Sequence, residues 1–102
     1  MDIERIRDFN KKGLIVITEH AEQRMQERNI TIKEIIDTIN FGEIIENYDE
    51  DTPYPSCLIL HIKNKKPLHV VISDAKEYFK VVTSYVPDKN KWYNNFRKRL
   101  NL

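Results

Sequence analysis

Apolar residues recur at helical spacing through the first 42 residues of the chain. The spacing predicts helices over residues 2–12, 18–29 and 31–42, with a brief extended run over residues 14–17. Thr18 and Thr31 are typical N-cap residues, and Gly13 and Gly42 end the first and third helices. The third helix is the most strongly patterned, because its isoleucines follow the i, i+3, i+4, i+7 spacing of a buried face.

The apolar period changes from helical to two after residue 42. Four strands are predicted, over residues 43–48, 57–63, 68–73 and 78–86. Their connections are short, so consecutive strands are expected to pair antiparallel. Pro87 ends the last strand and Asp88 is placed to cap a final helix, in which Trp92, Phe96 and Leu100 recur every four residues.

Together these elements predict an α+β fold: N-terminal helices, a four-stranded antiparallel meander and a C-terminal helix, with the helices on one sheet face. A chain of 102 residues suits a single domain. We expect residues 18–100 to form its core and residues 1–17 an N-terminal extension.

Composition narrows the protein class further. A single cysteine, Cys57, excludes an intramolecular disulfide and a multi-thiolate zinc site, and it fits a reducing compartment. The charged N-terminus and the short apolar runs suit neither a signal peptide nor a membrane span. We therefore expect a cytoplasmic protein with no membrane contact.

The near-neutral net charge hides an asymmetry between the two halves. Residues 1–51 hold 7 Lys/Arg and 13 Asp/Glu, whereas residues 52–102 hold 10 Lys/Arg and 3 Asp/Glu. One interpretation is a surface that binds a polyanion or a charged partner. The other is that folding interleaves the halves and cancels the field, and the sequence leaves both open.

Candidate chemistry first appears on the second helix. His20, Arg24 and Glu27 share one face at 100° per residue, and Arg28 lies somewhat further round. A guanidinium group binds two phosphate oxygens at once, and imidazole transfers protons near neutral pH. This face therefore suits a phosphate-binding site with acid–base chemistry. The alternative is a solvated helix face carrying Glu–Arg pairs.

Strict alternation along the strands predicts a second polar cluster. In each strand, one set of alternate residues is apolar. If these apolar sets all face the helices, the open sheet face carries the polar residues His61, Lys63, His69, Ser73, Thr83 and Tyr85. A slip of one residue in strand register would scatter this set. Histidines with lysine and tyrosine suit metal-independent RNA cleavage, which needs a base, an acid and a cation. No metal-ligand spacing is present in the sequence, so neither a metal nor another cofactor is expected.

The end of the chain is basic. Arg97, Lys98 and Arg99 follow Trp92 and Tyr93, and basic residues beside aromatics suit single-stranded RNA. The alternative is a solvated tail with Trp92 anchored in the core.

Several motifs occur in an order that resembles a known family. They are His20-Ala21, Arg24-Met25, Arg28, Phe41-Gly42-Glu43, Tyr54-Pro55-Ser56, Pro67-Leu68-His69-Val70-Val71 and Tyr85-x-Pro87-Asp88 with Trp92. They are similar to the signature of a small bacterial family, a domain of unknown function that looks like a branch of the RelE/BrnT-like toxin ribonucleases. The resemblance implies an mRNA-cleaving toxin held inactive by an antitoxin protein, with Tyr85 and residues 97–99 in RelE-like roles.

The leading hypothesis is therefore a metal-independent endoribonuclease of a toxin–antitoxin system. We expect His20 and His69 to transfer protons, with Arg24 and Tyr85 supporting them. The residues expected to bind RNA phosphates are Arg28, Lys63, Arg97, Lys98 and Arg99. Two alternatives are a non-catalytic RNA- or ribosome-binding module and a protein-interaction domain that uses the acidic residues 43–51. A free end strand of the meander also offers pairing to an antitoxin strand or to a second copy in a homodimer.

Overall fold

A computed structural model describes residues 1–100, in which one short strand follows the first of three helices and the other strands follow the third. The helices are α1 (Ile3–Lys11), α2 (Glu19–Arg28) and α3 (Ile32–Phe41). The strands are β1 (Ile15–Ile17), β2 (Glu43–Tyr48), β3 (Ser56–Lys63), β4 (Lys66–Asp74), β5 (Phe79–Tyr85), β6 (Trp92–Tyr93) and β7 (Lys98–Arg99). The predicted α+β class and the first three helices are confirmed.

Side-chain caps fix where the helices begin. Asp2 accepts a hydrogen bond from the amide of Glu4, and Thr18 accepts one from the amide of Ala21. Thr31 forms a reciprocal capping box with Glu34, which satisfies two otherwise unpaired amides. Across residues 1–100, no helix has the length and apolar character to cross a membrane.

The main sheet has five strands and mixed pairing, not four antiparallel strands as predicted. Its order is β1-β5-β4-β3-β2, with β1 parallel to β5 and the other neighbours antiparallel. The predicted strand number was wrong because the short extended run in residues 14–17 forms a fifth strand, β1, at the edge of the sheet. Helices α2 and α3 separate β1 from the meander, which allows β1 to join the edge in the parallel direction.

The hydrophobic core lies between the helices and one face of this sheet. Ile6, Met25 and Ile39 of the three helices pack there with Val70 and Val81 of the strands. Residues 1–17, expected as an extension, therefore contribute both a strand and a fully buried side chain to the core. We call the other side of the sheet, which points away from the helices, the distal face.

The β3–β4 turn sets the register of the sheet and corrects the predicted faces. Asn64 and Lys65 both have positive φ and form a two-residue loop between paired Lys63 and Lys66. This loop places Leu60, not His61, opposite His69. Leu58 and Leu60 therefore lie on the distal face, whereas Ile59 and His61 point toward the helices.

The predicted C-terminal helix is wrong. Residues 86–100, which we call the C-terminal segment, form turns and a small hairpin in which β6 pairs with β7. Asn94, Asn95 and Phe96 all adopt positive φ, a conformation that asparagine tolerates and a right-handed helix does not use. The four-residue spacing of Trp92 and Phe96 was therefore a coincidence, and packing on the sheet determines the conformation.

Candidate active site

A row of residues crosses the distal face at the level of His69. Glu43 of β2 lies opposite Leu60 of β3, Leu60 opposite His69 of β4, and His69 opposite Tyr85 of β5. Residues directly opposite in paired strands point to the same face, so all four side chains are on the distal face. Leu60 and His69 are buried there even though helices α1, α2 and α3 pack on the other face.

The C-terminal segment supplies the cover. The indole of Trp92 meets the His69 ring edge-on, with the ring centroids 4.5 Å apart. The Nε2 atom of His69 is 2.9 Å from the carbonyl oxygen of Phe96, and Nδ1 is 3.3 Å from the hydroxyl of Tyr85. Because a carbonyl only accepts hydrogen bonds, Nε2 carries a proton. In the neutral ring, Nδ1 therefore accepts from Tyr85.

A second polar group lies beside this histidine. Arg99 donates two hydrogen bonds of 3.0 Å to Glu46, one from Nε to Oε2 and one from Nη2 to Oε1. Its Nη2 also lies 3.3 Å from the hydroxyl of Tyr48, which itself donates to Glu46. The guanidinium stacks on Trp92, with Cζ 4.7 Å from the ring centre. Trp92 therefore contacts both His69 and Arg99.

The charges of this cluster are set by burial and by these contacts. Burial opposes ionisation of Glu46, but hydrogen bonds from Arg99 and Tyr48 hold the pKa of its carboxyl below the usual value. Burial, with the nearby Glu46, raises the pKa of Tyr48 to about 12. Burial lowers the pKa of His69, although the Phe96 carbonyl and Glu46 act in the opposite direction. Burial also raises the pKa of Tyr85.

At neutral pH the cluster therefore holds a carboxylate, a guanidinium, a neutral imidazole and two phenols. The carboxylate can accept a proton, and the guanidinium can bind a phosphate oxygen. The imidazole and the adjacent Tyr85 can pass a proton between them through their hydrogen bond. Acid–base chemistry at a phosphate group is what such a set can perform.

The predicted helical site does not join this cluster. Helix α2 packs through Ala21 and Met25 on the face of the sheet opposite His69. His20 is exposed on that helix, so the structure does not bring the two imidazoles together. Arg24 pairs with Glu27 at 3.1 Å, as the solvated-face alternative expected.

Arg28 contacts strand β5 instead of an open site. Its Nη1 donates to the carbonyl oxygen of Ser84 at 2.6 Å and lies 3.5 Å from the hydroxyl of Thr83. Ser73 donates its hydroxyl proton to the carbonyl oxygen of Pro55. The Arg28 contact holds α2 against the end of β5, and the Ser73 contact holds the residue before β3 against β4.

His61 and Lys63 lie on the helix-facing side, away from His69. The amino group of Lys63 is 3.0 Å from a carboxylate oxygen of Asp37, and Lys33 contacts the same oxygen. The predicted gathering of these residues with His69 is therefore wrong, and the two-residue β3–β4 loop is the reason.

The basic C-terminal residues have partners in the acidic half of the chain. Arg97 forms an ion pair with Glu43, and Arg99 with Glu46, whereas Lys98 is exposed. The second interpretation of the charge asymmetry, that folding interleaves the halves, holds at these pairs.

Sequence reasoning missed Glu46, Tyr48 and the role of Trp92. The signal was present in β2, where Glu46 and Tyr48 are two residues apart and so share a face. The Glu46 carboxylate and the Tyr48 hydroxyl complement the Arg99 guanidinium.

Within residues 1–100, no group of three or more His, Cys, Asp or Glu side chains is arranged to hold a metal ion.

Comparisons with known proteins place the chain by family alone. No curated protein and no solved structure matches it. A family model described as "Domain of unknown function (DUF4258)" matches residues 17–86. The matched range includes Glu46, Tyr48, His69 and Tyr85, and it ends before Trp92 and Arg99. Because the match spans more than half of the chain, the protein belongs to the family described as a domain of unknown function, DUF4258.

Proposed function

We propose that the protein is an endoribonuclease that cleaves RNA without a metal ion, at the distal-face cluster of Glu46, Tyr48, His69, Tyr85 and Arg99. The observation that carries the proposal is the pairing of Glu46 with Arg99 beside the His69–Tyr85 hydrogen bond. A base, an acid and a fixed cation are the three groups that attack by a ribose 2′-hydroxyl requires.

In this reaction the 2′-oxygen of RNA forms a bond to the adjacent phosphorus, and the bond from phosphorus to the 5′-oxygen breaks. Glu46 accepts the 2′-hydroxyl proton. Arg99 binds the non-bridging oxygens, whose negative charge grows in the transition state. The products are a 2′,3′-cyclic phosphate and a free 5′-hydroxyl.

His69 and Tyr85 supply the proton for the leaving 5′-oxygen. When both ring nitrogens are protonated, Nε2 donates to the Phe96 carbonyl and Nδ1 to the Tyr85 oxygen, so each donor keeps an acceptor. The phenol proton is then free to pass to the leaving oxygen, and the Nδ1 proton replaces it on Tyr85. His69 is the proton source and Tyr85 carries the proton outward.

The alternatives considered for the sequence fit the contacts less well. A non-catalytic RNA-binding surface made of Arg97 and Arg99 gives no role to the buried His69–Tyr85 hydrogen bond beside Arg99. The net negative charge of an acidic docking surface over residues 43–51 is reduced, because Glu43 pairs with Arg97 and Glu46 with Arg99. Catalysis gives a role to the Glu46 carboxylate, the Arg99 guanidinium and the His69–Tyr85 hydrogen bond together.

The resemblance to RelE-like toxins adds a cellular substrate and a protein inhibitor to the proposed ribonuclease. Messenger RNA is then the substrate, and a co-expressed antitoxin is the inhibitor. Strand β1 pairs with β5 and forms one end of the sheet, which offers an edge for an antitoxin strand. Induced expression of the wild type should arrest growth, and expression of Glu46→Gln should not.

The direct test is cleavage of a fluorescent oligoribonucleotide by purified protein in EDTA. We expect 2′,3′-cyclic phosphate ends and no cleavage when the 2′-hydroxyl at the scissile position is replaced by hydrogen. Glu46→Gln should slow cleavage by about 10²–10⁴-fold, the range for loss of a general base. Glu50→Gln, a change of an exposed carboxylate in the following loop, is the matched control. Intact RNA with the wild type, or undiminished cleavage by a folded Glu46→Gln variant, would refute the proposal.

A further inference from the structure

A cavity of about 250 Å³ opens where the end of α3 meets β2 and β3, beside the proposed catalytic cluster, and residues of both sheet faces, including His61, line it. Its walls include Phe41, Glu43, Leu60, Ile62 and Arg97. Leu60 is opposite His69 in the sheet, and Glu43 is on the same strand as Glu46. The volume is below the roughly 300–1,000 Å³ of sites for drug-sized ligands, so it suits one planar heterocycle.

An aromatic side chain forms one wall without serving the core. Phe41 is the last residue of α3, and 70% of its surface is exposed. The Phe41 and His61 ring centroids are 6.1 Å apart, with the two planes tilted by 38°. An exposed ring beside a cavity can stack on a flat ligand, as aromatic side chains stack on the bases of single-stranded RNA.

The polar wall of the cavity carries both a donor and an acceptor. Arg97 and Glu43 form an ion pair that leaves most of the guanidinium N–H groups and carboxylate lone pairs unused. Guanine has the matching edge, since O6 and N7 accept hydrogen bonds from arginine and N1–H and N2–H donate to a carboxylate. Adenine presents a ring acceptor where guanine presents the N1–H donor, so adenine would face the carboxylate with a lone pair.

From these contacts we infer that this cavity binds a guanine base of the RNA substrate, stacked on Phe41 and read by Glu43 and Arg97, and this inference rests on the proposed function for its link to cleavage. Glu43 and Glu46 pair with Leu60 and Leu58, two positions apart on β3, which is about 6.6 Å at the usual strand rise. A base bound in the cavity therefore leaves its own ribose and phosphate within reach of Glu46 and Arg99.

Binding is measured first, without cleavage. Guanosine 3′-monophosphate and adenosine 3′-monophosphate are titrated into the full chain while amide chemical shifts are followed by NMR. We expect guanosine 3′-monophosphate to bind at least tenfold more tightly. Glu43→Gln should remove most of this preference, because its amide NH₂ replaces one acceptor with a donor. Phe41→Leu should weaken both nucleotides by at least fivefold and leave the preference unchanged.

Tyr78→Leu is the matched control, since it removes a partly exposed aromatic ring at the other end of the strands. Equal affinity for the two nucleotides, absence of binding, or an unchanged preference in Glu43→Gln would overturn the inference. Phe41 and Glu43 are exposed, and the amide spectra report whether each variant is folded.

Cleavage then separates this inference from the proposed function. Oligoadenylates carrying a single guanosine are compared with those carrying a single cytidine or uridine. Cleavage that ignores the guanosine would overturn the guanine site and leave the ribonuclease intact. Guanine-selective binding without cleavage of any RNA would leave the site and overturn the ribonuclease.

Discussion

The Nε2 atom of His69 and the carbonyl oxygen of Phe96 are 2.9 Å apart, and this hydrogen bond ties the C-terminal segment to the centre of the sheet. Phe96 has a φ of 67°, which is unusual for a residue with a bulky side chain. A buried imidazole that holds a backbone carbonyl is both a structural contact and a potential proton source. Stability, and cleavage by the proposed mechanism, should therefore both depend on its protonation state.

The first prediction concerns stability against pH. Burial lowers the pKa of His69 below its usual 6.5, so protonation favours the unfolded chain. The free energy of unfolding should therefore be highest above pH 6.5 and fall as the pH drops below 6.5, until the pKa of the folded state is passed. Urea unfolding of the wild type at pH 7.5, 6.5 and 5.5 should show this loss, and His69→Gln should not. His20→Gln, a change of an exposed histidine, is the control. Matching pH dependence in the wild type and His69→Gln would contradict the assignment.

The second prediction concerns the turn that sets the register. Lys65 has a φ of 65° and is exposed, and a side chain in this left-handed conformation costs about 1 kcal/mol or more. Lys65→Gly should stabilise the protein by about 0.5 kcal/mol once the greater flexibility of the unfolded chain is subtracted. Lys66→Gly, the next residue but inside β4, should destabilise it by roughly 0.5–1 kcal/mol. Thermal unfolding measures both, and equal effects of the two changes would argue against this turn.

The third prediction concerns the different reasons why Gly13 and Gly42 are glycines. Gly13 has a φ of +72° with nothing within 4 Å of an added Cβ, whereas at Gly42 an added Cβ would lie 2.9 Å from a methyl of Ile59 and closer still to carbonyl oxygens. Gly13→Ala should cost about 1–2 kcal/mol from backbone strain. Gly42→Ala should cost about 1–3 kcal/mol or more from crowding. Asparagine tolerates positive φ, so Gly13→Asn should recover part of the loss, and Gly42→Asn should not. Chemical denaturation of the four variants checks this, and recovery at Gly42 would show that conformation, not space, is limiting there.

Local signals were sufficient to predict the helices and the meander strands. Thr18 and Thr31 are caps because their side chains accept amide hydrogen bonds a few residues on, and that chemistry is readable from the sequence. The period-two strands after Gly42 were similarly readable, with boundaries correct to within two residues.

Pairing between distant segments was not readable in the same way. Which β3 residues share a face with His69 depends on whether Leu60 or His61 lies opposite it, and both sets of alternate residues in β3 contain large apolar side chains. The deciding feature was a two-residue turn at Asn64 and Lys65 that lacks the usual glycine. His61 and Lys63 therefore lie on the helix-facing side, because one residue of register moves every side chain of β3 to the other face, whereas His69 and Tyr85 share the distal face as predicted.

The prediction of a C-terminal helix was wrong for a related reason. Its conformation is set by Trp92 packing on His69 and by Arg99 pairing with Glu46, contacts between residues more than 20 positions apart. Helical spacing of three apolar residues is a weak signal against such contacts, particularly with Asn94 and Asn95 between them. The site residues that were missed are those whose role exists only after this segment has folded onto the sheet.

The fourth prediction concerns the pH dependence of cleavage. In the proposed mechanism Glu46 is the general base and must be deprotonated. Burial raises the pKa of Glu46, but its hydrogen bonds from Arg99 and Tyr48 outweigh burial and hold it below 4.5, so kcat/KM should fall as the pH drops through that pKa. A general acid must be protonated, so kcat/KM should also fall as the pH rises through the pKa of His69, which burial holds below 6.5. The optimum should therefore lie on the acid side of pH 6.5.

Variants assign the two limbs of that profile. Glu46→Gln should remove the acid limb together with most of the activity, and His69→Gln should remove the basic limb. Tyr85→Phe should lower kcat/KM by about 10²-fold or more while leaving both limbs in place, because the phenol relays the proton without being its source. Tyr93→Phe changes an exposed tyrosine hydroxyl and should leave the profile unchanged. Steady-state cleavage of one oligoribonucleotide between pH 4 and 9 tests all four variants. A basic limb that persists in His69→Gln would assign the proton to a different group and remove His69 from the mechanism.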